Sequence, residues 1–251
     1  MIQVSNISFK YPGTKRNIFD NFSLDIEENK IYGLLGKNGT GKSTLLYLIC
    51  GLLRARKGNV SIDGVDAKER RPEILRDIFI VPEEFDLPNV SLDTYVKINQ
   101  PFYPNFSNEV LQKCLEDFSL PHFNKLNELS MGQKKKVYMS FALASGTRIL
   151  LMDEPTNGLD IPSKTQFRKV VANNMTDDRI LVISTHQVHD VESLLDHILI
   201  LSESRMLLNA STAEICEKYA FEYRSPQEMD DDVVYSEPAM QGSAVIATRK
   251  E

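Results

Sequence analysis

An α/β fold with a mostly parallel sheet is what the order of apolar segments predicts, with an antiparallel β subdomain at the N-terminus and an inserted α-helical subdomain. Three observations carry this. Short Val-, Ile- and Phe-rich runs alternate with segments of helical period, the pattern of successive βαβ units. The first two runs, Val4–Phe9 and Phe22–Ile26, have no helical segment between them, so they pair as an antiparallel opening. From Asp86 to Glu128 the runs change to amphipathic helical segments broken by Pro88, Pro101, Pro104 and Pro121.

Taken in order, Ile31–Leu35 is a strand that runs into a glycine-rich loop and then the helical stretch Lys42–Leu53. Ile78–Val81 is a further strand, stopped by Pro82. After the helical insertion the rhythm returns: Ile149–Met152 as strand, Pro162–Asn174 as helix, Ile180–Ser184 as strand, Val188–Leu195 as helix and Ile198–Leu201 as strand. The α/β core is therefore expected to be discontinuous, residues 1–85 and 146–215, with residues 86–145 inserted as the helical subdomain. Ser211 and Glu214 have the spacing of a capping box, so a short helix follows. Residues 216–251 hold an acidic cluster (Glu228, Asp230, Asp231, Asp232) and two apolar stretches, Val233–Tyr235 and Ala244–Ala247, and read as a strand-rich appendage or a tail.

Composition narrows the function classes. At 251 residues, 42% hydrophobic and 25% charged, the chain can bury a full core, which excludes disordered, collagenous and coiled-coil classes. A net charge of −6 argues against a main affinity for phosphate backbones, and no nucleic-acid partner is expected. The cysteines Cys50, Cys114 and Cys216 are scattered, as reduced thiols of the cytoplasm are. The opening MIQVSNISFK has no secretory pattern. The longest apolar run, Leu45 to Leu53, is nine residues, where a membrane-spanning helix needs about 20.

The chemistry is concentrated in three motifs. Gly36-Lys-Asn38-Gly39-Thr40-Gly41-Lys42-Ser43 satisfies G-x-x-x-x-G-K-[ST] between a strand and a helix, the context a phosphate-binding loop requires. Its glycines let consecutive N–H groups converge on phosphate oxygens, and the helix N-terminus adds its dipole. Lys42 supplies a charge to the β- and γ-phosphates, Ser43 a hydroxyl to Mg²⁺, and Thr44 a further polar contact. The strand Ile149–Met152 delivers Asp153 and Glu154 at its end, where ligands of open α/β sheets collect. Asp153 is suited to holding Mg²⁺ and Glu154 to polarising a water. Between them, Leu129-Ser130-Met131-Gly132-Gln133 opens the helical segment Lys134–Ser145 and forms a second anion site.

In this order, and with Asn157-Gly-Leu-Asp160 and His186 following, the sequence resembles an ATP-binding cassette (ABC) ATPase, the nucleotide-binding subunit of a bacterial ABC transporter, over roughly residues 1–215. The resemblance implies a core of the phosphate-loop NTPase type, with ATP and Mg²⁺ as cofactors. It makes Tyr11 the residue that stacks on adenine, Glu154 the general base, and His186 a contact to the γ-phosphate. It also implies head-to-tail dimers, in which Ser130, Gly132 and Gln133 of one subunit close over ATP held by the other and Asp160 acts across the interface. A separate transmembrane permease subunit is implied as partner, with the chain peripheral on the cytoplasmic face of the membrane and an exporter-like role. The dimer is either of one kind of cassette or of two. The competing role, a soluble ABC ATPase acting on ribosomes or DNA, usually needs two cassettes or a long coiled-coil insertion, and this chain has one set of motifs and a short insertion.

Two positions depart from the family pattern. Glu83, in Val81-Pro82-Glu83, stands where a glutamine usually touches Mg²⁺ and the attacking water; it keeps an oxygen ligand but adds a negative charge, so altered metal dependence or turnover is expected. Met131 stands where the signature usually has its first glycine. Elsewhere, Lys134–Lys136 read as a solvated helix face, and His189 with Glu192 as surface residues rather than metal ligands. The aromatics Phe85, Tyr95, Phe102, Tyr103, Phe106, Phe118 and Phe123 are expected to fill the helical subdomain, with some left to receive a helix of the membrane partner.

Overall fold

Alternation of buried and exposed side chains makes the first strands half-buried ribbons. In the computed structural model, which describes residues 1–225, 228–240 and 242–249, β1 (Ile2–Phe9) and β2 (Phe19–Ile26) pair antiparallel, with Val4 opposite Leu24 and Phe9 opposite Phe19. They join β4 (Lys57–Ile62) and β5 (Val65–Asp66) in a four-stranded sheet of order β2-β1-β4-β5.

The second sheet has six strands in the order β10-β9-β3-β8-β7-β6. Strands β3 (Lys30–Leu35), β6 (Ile78–Val81), β7 (Ile149–Asp153), β8 (Ile180–Thr185) and β9 (His197–Ser202) run parallel, and β10 (Arg205–Ser211) returns antiparallel along β9. Every residue of β7 and β8 is buried, which is why both read as unbroken apolar runs rather than alternating ones. Their side chains still divide by parity. Leu151 and Val182 face the cluster under the four-stranded sheet together with Leu45, Leu46 and Ile49 of α1 (Lys42–Ile49), whereas Leu150, Met152, Leu181 and Ile183 face the helical side. Helix α1 is thus packed between the two sheets, and the loop before it is held at the carboxyl ends of the parallel strands.

A four-residue helix, α2 (Pro72–Leu75), precedes β6. The inserted segment holds α3 (Leu92–Asn99), α4 (Asn108–Asp117) and α5 (Met131–Ala144), each opened by a serine whose hydroxyl accepts from the first turn: Ser91, Ser107 and Ser130. Such caps stabilise by about 1 kcal/mol each. Phe118 is fully buried, and Phe79, Tyr95, Tyr103, Phe106 and Phe141 form linked ring pairs between insertion and sheet. Phe102 is one of the aromatics left outside this core, being 66% exposed; it lies in a 3₁₀ turn over Gln100–Phe102 that carries its ring off the core.

After α6 (Ile161–Asn173), the expected helix over Val188–Leu195 is replaced by two 3₁₀ turns, Val188–Asp190 and Glu192–Leu194. The reason is packing. Bonds of i→i+3 type, such as Val191 N–H to Val188 O and Leu194 N–H to Val191 O, turn Val191, Leu194 and Leu195 inward within one short connection between β8 and β9. The Ser211–Glu214 capping box opens α7 (Thr212–Lys218). Beyond it β11 (Tyr219–Arg224), β12 (Val233–Ala239) and β13 (Gly242–Thr248) form an antiparallel sheet of order β11-β13-β12, tied by Arg224 to Glu222 and Asp232.

A candidate nucleotide site at the carboxyl ends of the parallel strands

The loop between β3 and α1 turns on glycine. Gly41, the residue before α1, has φ +106°, and a Cβ there would stand 2.7 Å from Ile18 Cγ2 and 3.0 Å from Phe19 Cζ. No other residue type meets both demands without strain. Thr40 ties the loop back through Oγ1 to Lys37 O at 2.9 Å, while Asn38 and Gly39 lie exposed at its tip. Lys42 is buried; its Nζ donates to Gly36 O at 2.8 Å and Lys37 O at 3.3 Å, and lies 3.6 Å from Glu154 Oε1.

Two acidic residues converge on this loop from β7. Asp153 accepts from the hydroxyl of Ser184, with the Ser43 hydroxyl beside it. Burial pushes its carboxyl above the ordinary value; the two hydroxyls oppose this, and Glu83 and Glu154 push it the same way. Glu154 has φ +45°, a left-handed turn that costs a non-glycine residue of order 1 kcal/mol. That turn aims its carboxylate back over the sheet. Oε2 accepts from Thr185 Oγ1 at 3.1 Å and from the His186 N–H at 3.4 Å, and Oε1 lies 2.8 Å from His186 Nδ1. Tyr11 reaches the same loop: its hydroxyl is 3.1 Å from Thr44 Oγ1 and its ring stands edge-on to Phe9 at 5.0 Å.

Oxygen donors of the Ser43–Asp153 kind suit a small hard cation, and Mg²⁺ is usually held by one or two protein oxygens plus phosphate oxygens and water. Ser43 and Asp153 bring two oxygen donors together beside the phosphate loop, which fits this sparse pattern; among the described residues no group of three His, Cys, Asp or Glu side chains could hold a metal. Glu83 stands beside the pair, yet its Oε1 accepts from Asn157 Nδ2 at 2.9 Å.

The signature residues make a helix start. Ser130 caps α5 by accepting from the Gln133 N–H, and the Gln133 side chain accepts from the Ser130 N–H at 2.9 Å. Gln133 is therefore engaged within its own helix, while Ser130 and Met131 face solvent, Met131 being 53% exposed. Gly132 packs near Gly158 O, and Asp160 caps α6 through Ser163. The hydroxyl and N–H of Ser163 hold the Asp160 carboxyl below the usual carboxylate range.

One expectation is corrected here. Lys134–Lys136 are not a solvated face: Lys135 is 5% exposed, its Nζ donating to Asn157 O at 2.8 Å with Glu154 O at 3.4 Å; Lys134 pairs with Asp86; Lys136 reaches Phe118 O and Gln166. Helical spacing places a run of three lysines on three sides of α5, and the middle one points under the turn after β7. Burial lowers the Lys135 pKa, and Glu83, Glu154 and Asp153 oppose that shift. Ser184, Thr185 and Lys135 were not legible as site residues, since nothing local marks which strand-end hydroxyl or helix cation faces a carboxylate. His189 and Glu192 are surface residues paired at 3.2 Å.

A phosphate loop, a strand-end carboxylate pair and a histidine beyond the neighbouring strand define the class: a phosphate-loop nucleoside triphosphatase with a second helix-start motif. Residues 19–157, more than half of the chain, match the family model described as ABC transporter. The chain belongs to this family; it is an ATP-binding, ATP-hydrolysing subunit of the bacterial ABC transporter kind. It is 28% identical to the ABC transporter ATP-binding protein YtrB of Bacillus subtilis (strain 168), over 87% of this chain and 75% of that protein. It is 28% identical to the bacitracin transport ATP-binding protein BcrA of Bacillus licheniformis, over 82% and 68%. Its fold matches a solved ATP-binding subunit of an ABC transporter at TM-score 0.75 and 23% identity, over 86% of this chain and 91% of that one. A dimeric post-hydrolysis cassette, MJ0796 bound to ADP and Pi, matches at TM-score 0.72 and 26% identity, over 84% and 98%. Among the described residues no helix is long and apolar enough to cross a membrane.

Proposed function

We propose that this subunit hydrolyses Mg·ATP between two cassettes packed head to tail and passes the work to a separate permease. The convergence of Lys42, Asp153, Glu154 and His186 at one end of the parallel sheet carries the reading. Gly36, Gly39, Gly41 and the start of α1 supply N–H groups to the phosphates, with Asn38, Thr40, Ser43 and Thr44 around them and Lys42 as the point charge. Tyr11 stacks on adenine. Ser43 and Asp153, with Glu83 alongside, hold Mg²⁺, which neutralises charge on the phosphate oxygens when bound. Glu154 takes the proton of the water that attacks the γ-phosphorus, the bond to the β-phosphate oxygen breaks, and His186 keeps the Glu154 carboxylate aimed. Ser130, Gly132, Gln133 and Asp160 serve the nucleotide of the second cassette, identical or not.

The permease docks on the cytoplasmic side of the membrane. A groove of about 230 Å³ between insertion and core, lined by Cys50, Leu52, Leu75, Phe79, Tyr103 and Tyr138, has room for apolar side chains of such a partner's helix. Export is the direction proposed, as the resemblance of the sequence to exporter subunits implies.

Steady-state ATP hydrolysis by the purified chain, with size-exclusion chromatography of the Glu154→Gln variant in Mg·ATP, tests this. Turnover in the unmodified chain and an ATP-held dimer in the variant are expected. A variant that hydrolyses at the unmodified rate would overturn the role of Glu154.

A further inference from the structure

A buried ammonium needs partners, because a charge withdrawn from water is costly unless dipoles and counter-charges replace the solvent. Lys135 has both kinds. Its Nζ donates to Asn157 O at 2.8 Å and stands 3.4 Å from Glu154 O, and it lies in the field of Glu83, Glu154 and Asp153. Asn157 then continues the chain of contacts, its Nδ2 donating to Glu83 Oε1 at 2.9 Å. A neutral amide at position 135 could donate to the same carbonyls without desolvating a charge. What calls for a cation is the additional carboxylate, Glu83, which stands beside Asp153 and Glu154.

We propose that Lys135 is a positioning residue, which locks the turn of residues 154–157 to the signature helix α5 and balances the charge of Glu83, so that displacement of α5 is transmitted to the carboxylates of its own chain. The proposal rests on reading the site as an ATP site that a second cassette's signature turn closes. Under that reading, α5 addresses the neighbouring nucleotide through Ser130 and Gly132 at its first turn and grips its own chain's carboxylates through Lys135 at its second. Closure over one nucleotide then aligns Glu154 and Glu83 at the other, and the two sites act in concert.

The test compares the full chain with Lys135→Met, Lys135→Gln, Asn157→Ala, Glu83→Gln and the double variant Lys135→Gln/Glu83→Gln. Rate is measured against ATP concentration, and affinity separately by displacement of a fluorescent ATP analogue. Lys135→Met and Asn157→Ala are each expected to lower kcat by about 10- to 100-fold, as misplaced catalytic groups do, with ATP affinity within about twofold of the unmodified chain. The Hill coefficient for ATP should fall to about 1 as the sites uncouple. In Lys135→Gln/Glu83→Gln the extra carboxylate and its cation are both gone, so the two losses in kcat should not multiply and the double variant should stand no lower than Lys135→Gln alone. Multiplying losses, or affinity lost in step with kcat, would overturn the proposal. If Lys135→Met does not fold, Asn157→Ala carries the test of the lock, and Lys135→Gln, which keeps the contacts to the carbonyls, tests the charge. A full chain that neither binds nor hydrolyses ATP overturns the site reading itself; a full chain that turns over, with Lys135→Met and Asn157→Ala at its rate, overturns this inference alone.

Discussion

Lys42 Nζ lies 3.6 Å from Glu154 Oε1, and both side chains are 6% exposed. The cation of the phosphate loop and the carboxylate assigned to the attacking water thus form a buried pair within one chain, and a triphosphate entering the loop competes with Glu154 for that ammonium. Removing either partner has different consequences. Glu154→Gln keeps the shape and deletes the competing charge, so ATP affinity is expected to hold or tighten while kcat falls about 10²- to 10⁴-fold. Lys42→Ala leaves a buried carboxylate without its cation, a change that costs about 3–5 kcal/mol in such pairs. It should therefore lose both ATP affinity and thermal stability. Calorimetric titration and thermal melts of the two variants check this, and equal loss of ATP binding in both would contradict the division of roles.

Tyr11 is held from two directions, by the Phe9 ring and by the Thr44 hydroxyl, so its ring is fixed beside the loop before any base arrives. Stacking of a base on an aromatic ring is worth about 1–3 kcal/mol. Tyr11→Ala should then weaken ATP binding by about 5- to 150-fold, and Tyr11→Phe, which loses a neutral hydrogen bond, by no more than about tenfold. Fluorescence titration with ATP and GTP separates the two. A Phe variant as weak as the Ala variant would assign the effect to the hydroxyl rather than the ring.

The strands and motifs that the sequence made legible are those with strong local signals, and the hairpins show where such signals end. Asp63 and Gly64, with φ +50° and +81°, make the turn from β4 to β5; Asp-Gly is the residue pair such a turn favours, so this hairpin does carry a local signal. Glu203 and Ser204 make the turn from β9 to β10 at φ +45° and +65°, with no glycine or asparagine to mark it, and β10 could not be expected. The phosphate loop and the Asp153–Glu154 pair were legible because their chemistry requires residues adjacent in sequence. Lys135 was not, because its role depends on which side of α5 faces a turn some twenty residues later, and a lysine run carries no sign of which member is buried.

Gly146 ends α5 with φ +65°, and a Cβ there would stand 2.4 Å from Asn105 O. Both strain and overlap therefore oppose any side chain at this helix C-terminus. Gly146→Ala is expected to destabilise the fold by about 1–3 kcal/mol. The substitution lies at the far end of α5 from Ser130, so ATP affinity of the folded protein should be unchanged. Chemical denaturation reads the first effect and ATP titration the second; a variant of unchanged stability would mean that the loop at Asn105 yields freely.

Arg148, just ahead of β7, pairs with Glu28, Asp63 and Asp77, which draws the β2–β3 turn, the β4–β5 turn and the start of β6 onto one guanidinium. Burial alone would raise the Asp63 carboxyl, but hydrogen bonds from the amino terminus and Arg148 outweigh it and hold the group below its ordinary value. A carboxyl depressed in the folded state stabilises above its unfolded pKa, about 3.9 for aspartate, and that stabilisation is lost as the pH falls through the lower folded value. Arg148→Met should consequently lower stability at pH 7. The pairs are partly exposed, so each is worth only about 0.2–1 kcal/mol after solvent screening. The part of the difference carried by Asp63 should diminish as the pH falls below about 3.9 and through its lower folded value, and it should shrink in 1 M salt, where the Debye length falls to about 3 Å. Denaturant melts across pH and salt measure both. A difference that stays constant from pH 7 to pH 2.5 would show that Arg148 contributes through the packing of its stem rather than through its charge.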